Sequence, residues 1–155
     1  MNDDADRRLA EIGIELPPAP APLGAYVEAA QTGQLLFLSG TLPVLDGRPQ
    51  YIGRLGAELD ADRVWSATRL AALNALSVAR HYLGSLHRVA RVVRIGVMVA
   101  TSGDAFNLPK VADAASELFL EIFGADNISV RTVCGVASLP LGVPVVLDCI
   151  FEIRS

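Results

Sequence analysis

The alternation of apolar and polar positions is sharpest near the end of the chain. Across 145–153, Val145, Leu147, Cys149, Phe151 and Ile153 fall on one side, and Val146, Asp148, Ile150 and Glu152 on the other. A period of two marks a strand with one face on a core. The run RTVCGV from Arg131 reads as a second strand, and the two meet at Leu139-Pro140-Leu141-Gly142, which predicts a terminal hairpin. Arg131 stands at the entrance of its strand. From there a guanidinium can present its fixed fork of donors to a cleft instead of to the core.

The rest of the chain supplies the surroundings. Residues 91–100 form a strand with Val93, Ile95, Val97 and Val99 on one face and Arg94, Gly96 and Met98 on the other. An earlier hairpin joins 25–30 to 34–39 through a turn at Thr32-Gly33. Ser39-Gly40 ends it, the glycine marking a bulge or a close approach of two backbones. Pro43, Asp46-Gly47 and Pro49 then mark a loop. The glycines of GRLG (53–56) serve backbone geometry, since no phosphate-binding pattern surrounds them.

Leu70, Ala71, Leu73, Leu76 and Leu83 keep the helical period over 59–83, with Asp60 or Asp62 as cap and Gly84 as stop. Asn74, among apolar neighbours, reads as a satisfied packing residue. After a loop at 101–109, a second helix is striped by Val111, Ala115, Leu118, Phe119 and Ile122 and stopped by Gly124. A short amphipathic helix over 3–13, packed on a neighbouring surface, and an arm of Pro17, Pro18, Pro20 and Pro22 come first. The chain therefore divides into an arm (1–22) and a domain (23–155). The order hairpin, helix, strand, helix, hairpin gives an α+β domain, with two helices on one face of a mixed sheet.

Composition changes this picture in one respect. Of 155 residues 52% are hydrophobic and mean hydropathy is +0.40, more than a soluble monomer of one domain needs to bury. A sheet face left bare by the helices is expected to pack against identical subunits. A net charge of −4 argues against general nucleic-acid binding, although Arg88, Arg91 and Arg94 lie close in sequence. Cys134 and Cys149 are expected to be reduced, buried thiols. Neither His81 nor His87 has a carboxylate or nucleophile beside it at a usable spacing. No metal-ligand spacing and no cofactor motif occurs, so neither a metal nor a cofactor is expected. The start, MNDDADRR, is acidic and lacks an apolar core, and no apolar run is long enough to span a bilayer; a cytoplasmic location is expected.

The segments LFLSGTLPV (36–44), GRLGAEL (53–59), RLAALNAL (69–76), SELFLEIFG (116–124) and RTVCGVASLPLGVPV (131–145) resemble the Rid family. That family is also called YjgF-like or endoribonuclease L-PSP, and the closest branch is the YjgF/chorismate-mutase-like one. The likeness is collinear over roughly residues 10–153. Its most specific parts are Arg131 with Pro140, and Ser39-Gly40 with Pro43. The resemblance implies a chorismate-mutase-like fold and a homotrimer whose sheets form an inner barrel, with sites in clefts between subunits.

It also implies an activity: hydrolysis of reactive enamines and imines, such as 2-aminoacrylate, to 2-keto acids and ammonia. Arg131 matches the arginine that binds the substrate carboxylate, and Tyr26 matches the tyrosine of a Gly-x-Tyr segment (Gly24-Ala25-Tyr26). Ser39, Gly40, Asp113, Thr132 and Val133 fall at further positions of the substrate site. Three departures stand out. A glutamate that orients water in the archetypes aligns with Val146, a cysteine aligns with Val133, and an asparagine of the second helix aligns with Asp113. The competing functions are a trimer that binds a small carboxylate without turnover and, with less support, RNA cleavage.

Overall fold

The computed structural model describes residues 4–104 and 107–155; Ala105 and Phe106 of the expected 101–109 loop, and Asp3 of the expected first helix, lie outside them. Helix α1 (Ala5–Glu11) is capped by the Asp4 carboxylate, which accepts from the Asp6 amide. Its inner side places Ala5 and Leu9 in the main core. Asp6 accepts from Ser85 Oγ at 2.7 Å and from the Leu86 amide at 2.8 Å, fixing α1 to the far end of the long helix.

A hairpin follows, β1 (Ala29–Thr32) with β2 (Leu35–Leu38), in the register Thr32↔Leu35 and Ala29↔Leu38. The first strand is shorter than the alternation over 25–30 predicts, because the chain bends between Leu23 and Tyr26. Residues 43–49 are a small hairpin, β3 (Val44–Leu45) with β4 (Arg48–Pro49), and not an open loop. Asp46 and Gly47, both at positive φ, form its tight turn. At Gly53, also at positive φ, an added Cβ would lie 2.6 Å from Glu58 Cβ, so GRLG is built for close packing.

Helix α2 (Ala61–Leu83) starts where Asp60 accepts from the Arg63 amide at 2.9 Å and ends at Gly84 in the left-handed region. Its buried face is rich in alanine, with Ala67, Ala71, Ala72, Ala75 and Ala79 all fully buried. Such small side chains let a helix lie close to its neighbours. Asn74 Nδ2 donates to Leu42 O and Val44 O at 2.9 and 2.8 Å, tying the small hairpin to α2. Strand β5 (Val89–Ala100), helix α3 (Leu108–Phe123) and strand β6 (Val130–Val136) then form a parallel strand–helix–strand unit. Strand β7 (Val145–Ile153) completes the sheet.

The five-stranded sheet has the order β1-β2-β7-β5-β6, antiparallel throughout except for the parallel pair β5–β6. The two terminal strands are thus not a hairpin. Strand β5 lies between them, hydrogen-bonded to both. The inward face of β7 is as the alternation predicts, with Val145, Leu147, Cys149, Phe151 and Ile153 buried. On β5 the pattern slips. Register shifts between Val89 and Arg91 and between Val92 and Arg94 put Val92 in the core and leave Val93 only half-buried.

Helices α2 and α3 cover one face of the sheet. Phe119, Phe123 and Phe151 meet there, the Phe119–Phe151 pair edge to face at 6.1 Å. The other face is bare. Leu35 and Phe37 are 36% and 40% exposed on it, beside two ion pairs, Arg94–Asp148 at 2.8 Å and Arg91–Glu152 at 2.9 Å. Cys134 is exposed, contrary to the expectation of two buried thiols, because it sits on an edge strand with its side chain off the core face. Cys149 is buried, and burial pushes its thiol up to about 12. No helix among the described residues is long and apolar enough to cross a membrane.

Candidate functional site

Arg131 is the second residue of edge strand β6, paired in register with Ile95, and its side chain points toward α3. Its Nη1 donates to Asp113 Oδ1 at 2.7 Å and to Ser116 Oγ at 3.1 Å; Nη2 lies 3.5 Å from Pro109 O. Asp113 and Ser116 stand three apart on α3 and therefore share a helix face. The Arg131 side chain is about one quarter exposed, and Nε has no hydrogen bond among the described residues. One end of the fork is thus anchored, while the Nε–Nη2 edge, held only by the long contact from Nη2 to Pro109 O, can still turn to a planar anion. Arg131 is thus ion-paired with an acidic residue of its own chain. Val133 lies on the same side and packs partly on the core. Thr132, on the alternate side and opposite Gly96, faces away.

Tyr26, Ser39 and Gly40 are at the other edge of the sheet. Tyr26 precedes β1 and its hydroxyl accepts from the Leu23 amide at 3.0 Å. Ser39 Oγ donates to Val27 O at 2.6 Å, which holds the end of β2 against the stretch leading into β1. Gly40 is where two segments approach closely: an added Cβ would lie 3.0 Å from Val146 Cγ1. Val146 is only 5% exposed although it belongs to the bare face of β7.

A cleft of about 170 Å³ opens at this edge, between the proline-rich arm (Pro18–Ala21) and the turn beyond Gly40. Tyr26 and Glu28 both line it, and Asp46 lies at its rim on the small hairpin. Burial raises the pKa of Glu28 above its ordinary value.

The structure therefore brings Arg131, Asp113 and Val133 together at one edge and Tyr26, Ser39 and Gly40 at the other. Four strand spacings separate the edges, about 19 Å. No single chain unites them. Two residues of these clusters escaped the sequence. Ser116 was signalled by its i+3 relation to Asp113; Glu28 had no signal beyond its nearness to Tyr26 in sequence, since the stretch between them is bent. Among the described residues no group of three or more His, Cys, Asp or Glu could hold a metal ion.

Comparison with known proteins completes the picture. The profile of the family described as "YjgF/chorismate mutase-like, putative endoribonuclease" matches residues 6–152. Protein TCP17 of Trypanosoma cruzi is 38% identical over 148 residues, spanning 95% of this chain and 92% of that protein. A crystal structure from Shewanella oneidensis, described as a "putative endoribonuclease", is 32% identical. It covers 97% of this chain and 99% of its own, with a TM-score of 0.91. A protein of unknown function from Agrobacterium tumefaciens, also 32% identical, covers 99% and 94% with a TM-score of 0.89. TdcF of Escherichia coli, solved with bound serine, shares the fold at 24% identity and a TM-score of 0.64, covering 91% of this chain. By its profile, its relatives and its fold, the chain belongs to the YjgF/chorismate mutase-like family.

Proposed function

We propose that this protein acts in the cytoplasm as a homotrimer that hydrolyses enamine and imine derivatives of small amino acids to 2-keto acids and ammonia. The observation that carries this is Arg131: half-buried, anchored through Nη1 by Asp113 and Ser116, with an Nε–Nη2 edge on which Nε is unpaired among the described residues and Nη2 meets only Pro109 O, at 3.5 Å. That edge matches a carboxylate held by two parallel hydrogen bonds. The Tyr26 cleft at the opposite sheet edge supplies the remaining wall when it comes from a neighbouring subunit. Assembly is also favoured by the bare face that bears Leu35 and Phe37.

Positioning does much of the chemistry in this scheme. A C=N bond flanked by a carboxylate is already prone to attack by water. Fixing the carboxylate orients the imine carbon and converts an encounter into a step within one complex. The test is ammonia release from freshly generated 2-aminoacrylate and longer imino acids, by wild type and by Arg131→Ala. Turnover by wild type that falls by about 100-fold or more in the variant is expected. Wild-type protein that does not speed the reaction would overturn the proposal.

A second function, carboxylate binding without turnover, draws on one observation. Val146, packed beside Gly40 and 5% exposed, puts a methyl-lined surface where a water-directing group would be useful. Arg131-dependent binding of a small 2-keto acid by a protein without imine hydrolysis would establish that function. RNA cleavage has less support: the net charge is −4 and the two histidines lie in or just beyond the end of α2 and make no catalytic pair.

A further inference from the structure

The Tyr26 cleft holds a carboxylate with no partner. Glu28 lies two residues beyond Tyr26 on the bent stretch that leads into β1, and both residues line the cleft. Its backbone is fixed: the Ser39 amide donates to Glu28 O at 2.9 Å, adding a rung beyond the Ala29↔Leu38 pair. The side chain is half-buried against the proline-rich arm and makes no hydrogen bond or ion pair among the described residues. Among the described residues no lysine, arginine or histidine lines the cleft; Tyr26 and Asp46 are its other titratable groups, and Asp46 is exposed on its turn. A carboxylate kept partly dry and unpaired costs stability, which buried acids of purely structural use avoid by pairing.

We propose that Glu28 is the proton-transfer group of the site, working on the water and on the departing nitrogen. This rests on the imine-hydrolysis function proposed above. The substrate enters as the protonated imine, whose positive charge is drawn to the Glu28 carboxylate. Glu28 takes a proton from water as the C–O bond forms and the C=N π electrons move to nitrogen, leaving a neutral carbinolamine. The protonated Glu28 then gives that proton to the amine. The hydroxyl oxygen re-forms a C=O bond as the C–N bond breaks, and its proton passes through Glu28 to the ammonia. The sum is one protonated imine and one water in, one keto acid and one ammonium out. Burial suits the role, since it raises the carboxyl's pKa above its ordinary value and so makes the carboxylate a stronger base.

The test is the pH–rate profile of wild type, Glu28→Gln and Glu28→Asp on an imino acid, with Arg131→Ala alongside. Glu28→Gln is expected to lower kcat by about 100-fold or more with KM within a few-fold, and to abolish the acid limb of the profile. Glu28→Asp is expected to regain part of the rate and to keep that limb. The glutamine variant is expected to melt no lower than wild type, since a neutral isostere replaces an unpaired carboxylate. Full kcat and an intact acid limb in Glu28→Gln, with Arg131→Ala inactive, would overturn the role of Glu28 and leave imine hydrolysis standing. Absence of turnover by wild type would instead remove imine hydrolysis, and this role with it. A Glu28→Gln protein that dissociates into monomers would make the carboxylate an interface partner and also overturn the inference.

Discussion

Asp113 and Arg131, 2.7 Å apart, set the charge of the candidate site. With both side chains partly exposed, the pair is worth about 0–1 kcal/mol to folding. Its consequence lies in binding, because an aspartate beside the guanidinium opposes a carboxylate ligand. Asp113→Asn keeps a hydrogen-bond acceptor for Nη1 and removes the charge. It should lower KM for an imino acid several-fold while changing stability by less than about 1 kcal/mol; steady-state kinetics and urea denaturation check both. Gly40 makes a different kind of prediction. An alanine there meets Val146 Cγ1 at 3.0 Å, so Gly40→Ala should destabilise by about 1–3 kcal/mol. Val146→Ala should relieve part of that cost, giving a favourable coupling in a double-mutant cycle. Glu28 adds a pH dependence. Its pKa is raised in the folded protein, so the folded state holds the proton more tightly than the unfolded chain. The stabilisation is present below the ordinary carboxylate value of 4.5 and is lost as pH rises through the folded value. The stability deficit of wild type against Glu28→Gln should therefore shrink on acidification.

Alternation along a strand reveals which face is buried but not which strand lies alongside. That is why β7 could be read almost residue by residue while its partner could not. A hairpin is the simplest link between neighbouring strands, yet the stretch 137–144 between β6 and β7 is longer than the usual ~2–5-residue hairpin loop. Strand β5 at 89–100 has the length to pair on both sides, and α3 supplies the crossover that a parallel pair requires. The slip at Val92–Arg94 was equally hidden, since a bulge replaces one valine by its neighbour without disturbing composition. Element α1 gives the clearest mutational test at this scale. Leu9 is 3% exposed in the main core, so Leu9→Ala should cost about 2–5 kcal/mol in chemical denaturation. A loss below about 1 kcal/mol would mean that the helix only rests on the surface.

At the scale of the whole molecule, the sheet puts Arg131 and Tyr26 on opposite edges. No reading of local sequence could have placed them, because the strand order comes from long-range pairing. The family likeness pointed to both residues, but the distance between them becomes visible only once β7 and β5 lie between β2 and β6. The bare face favours assembly. Phe37, 40% exposed beside the Arg94–Asp148 pair, should tolerate no charge if that face is covered, and Phe37→Asp should shift the proposed trimer to monomer in sedimentation. The most direct test of a site shared between subunits is to mix two inactive variants, Arg131→Ala and Tyr26→Ala, after reversible dissociation, and to measure ammonia release from an imino acid. Random reassortment in a trimer should pair an intact Arg131 edge with an intact Tyr26 edge at about one interface in four. The mixture should then recover about a quarter of wild-type turnover. A mixture no more active than its two components, beside an active wild type treated in the same way, would contradict a site built from both edges.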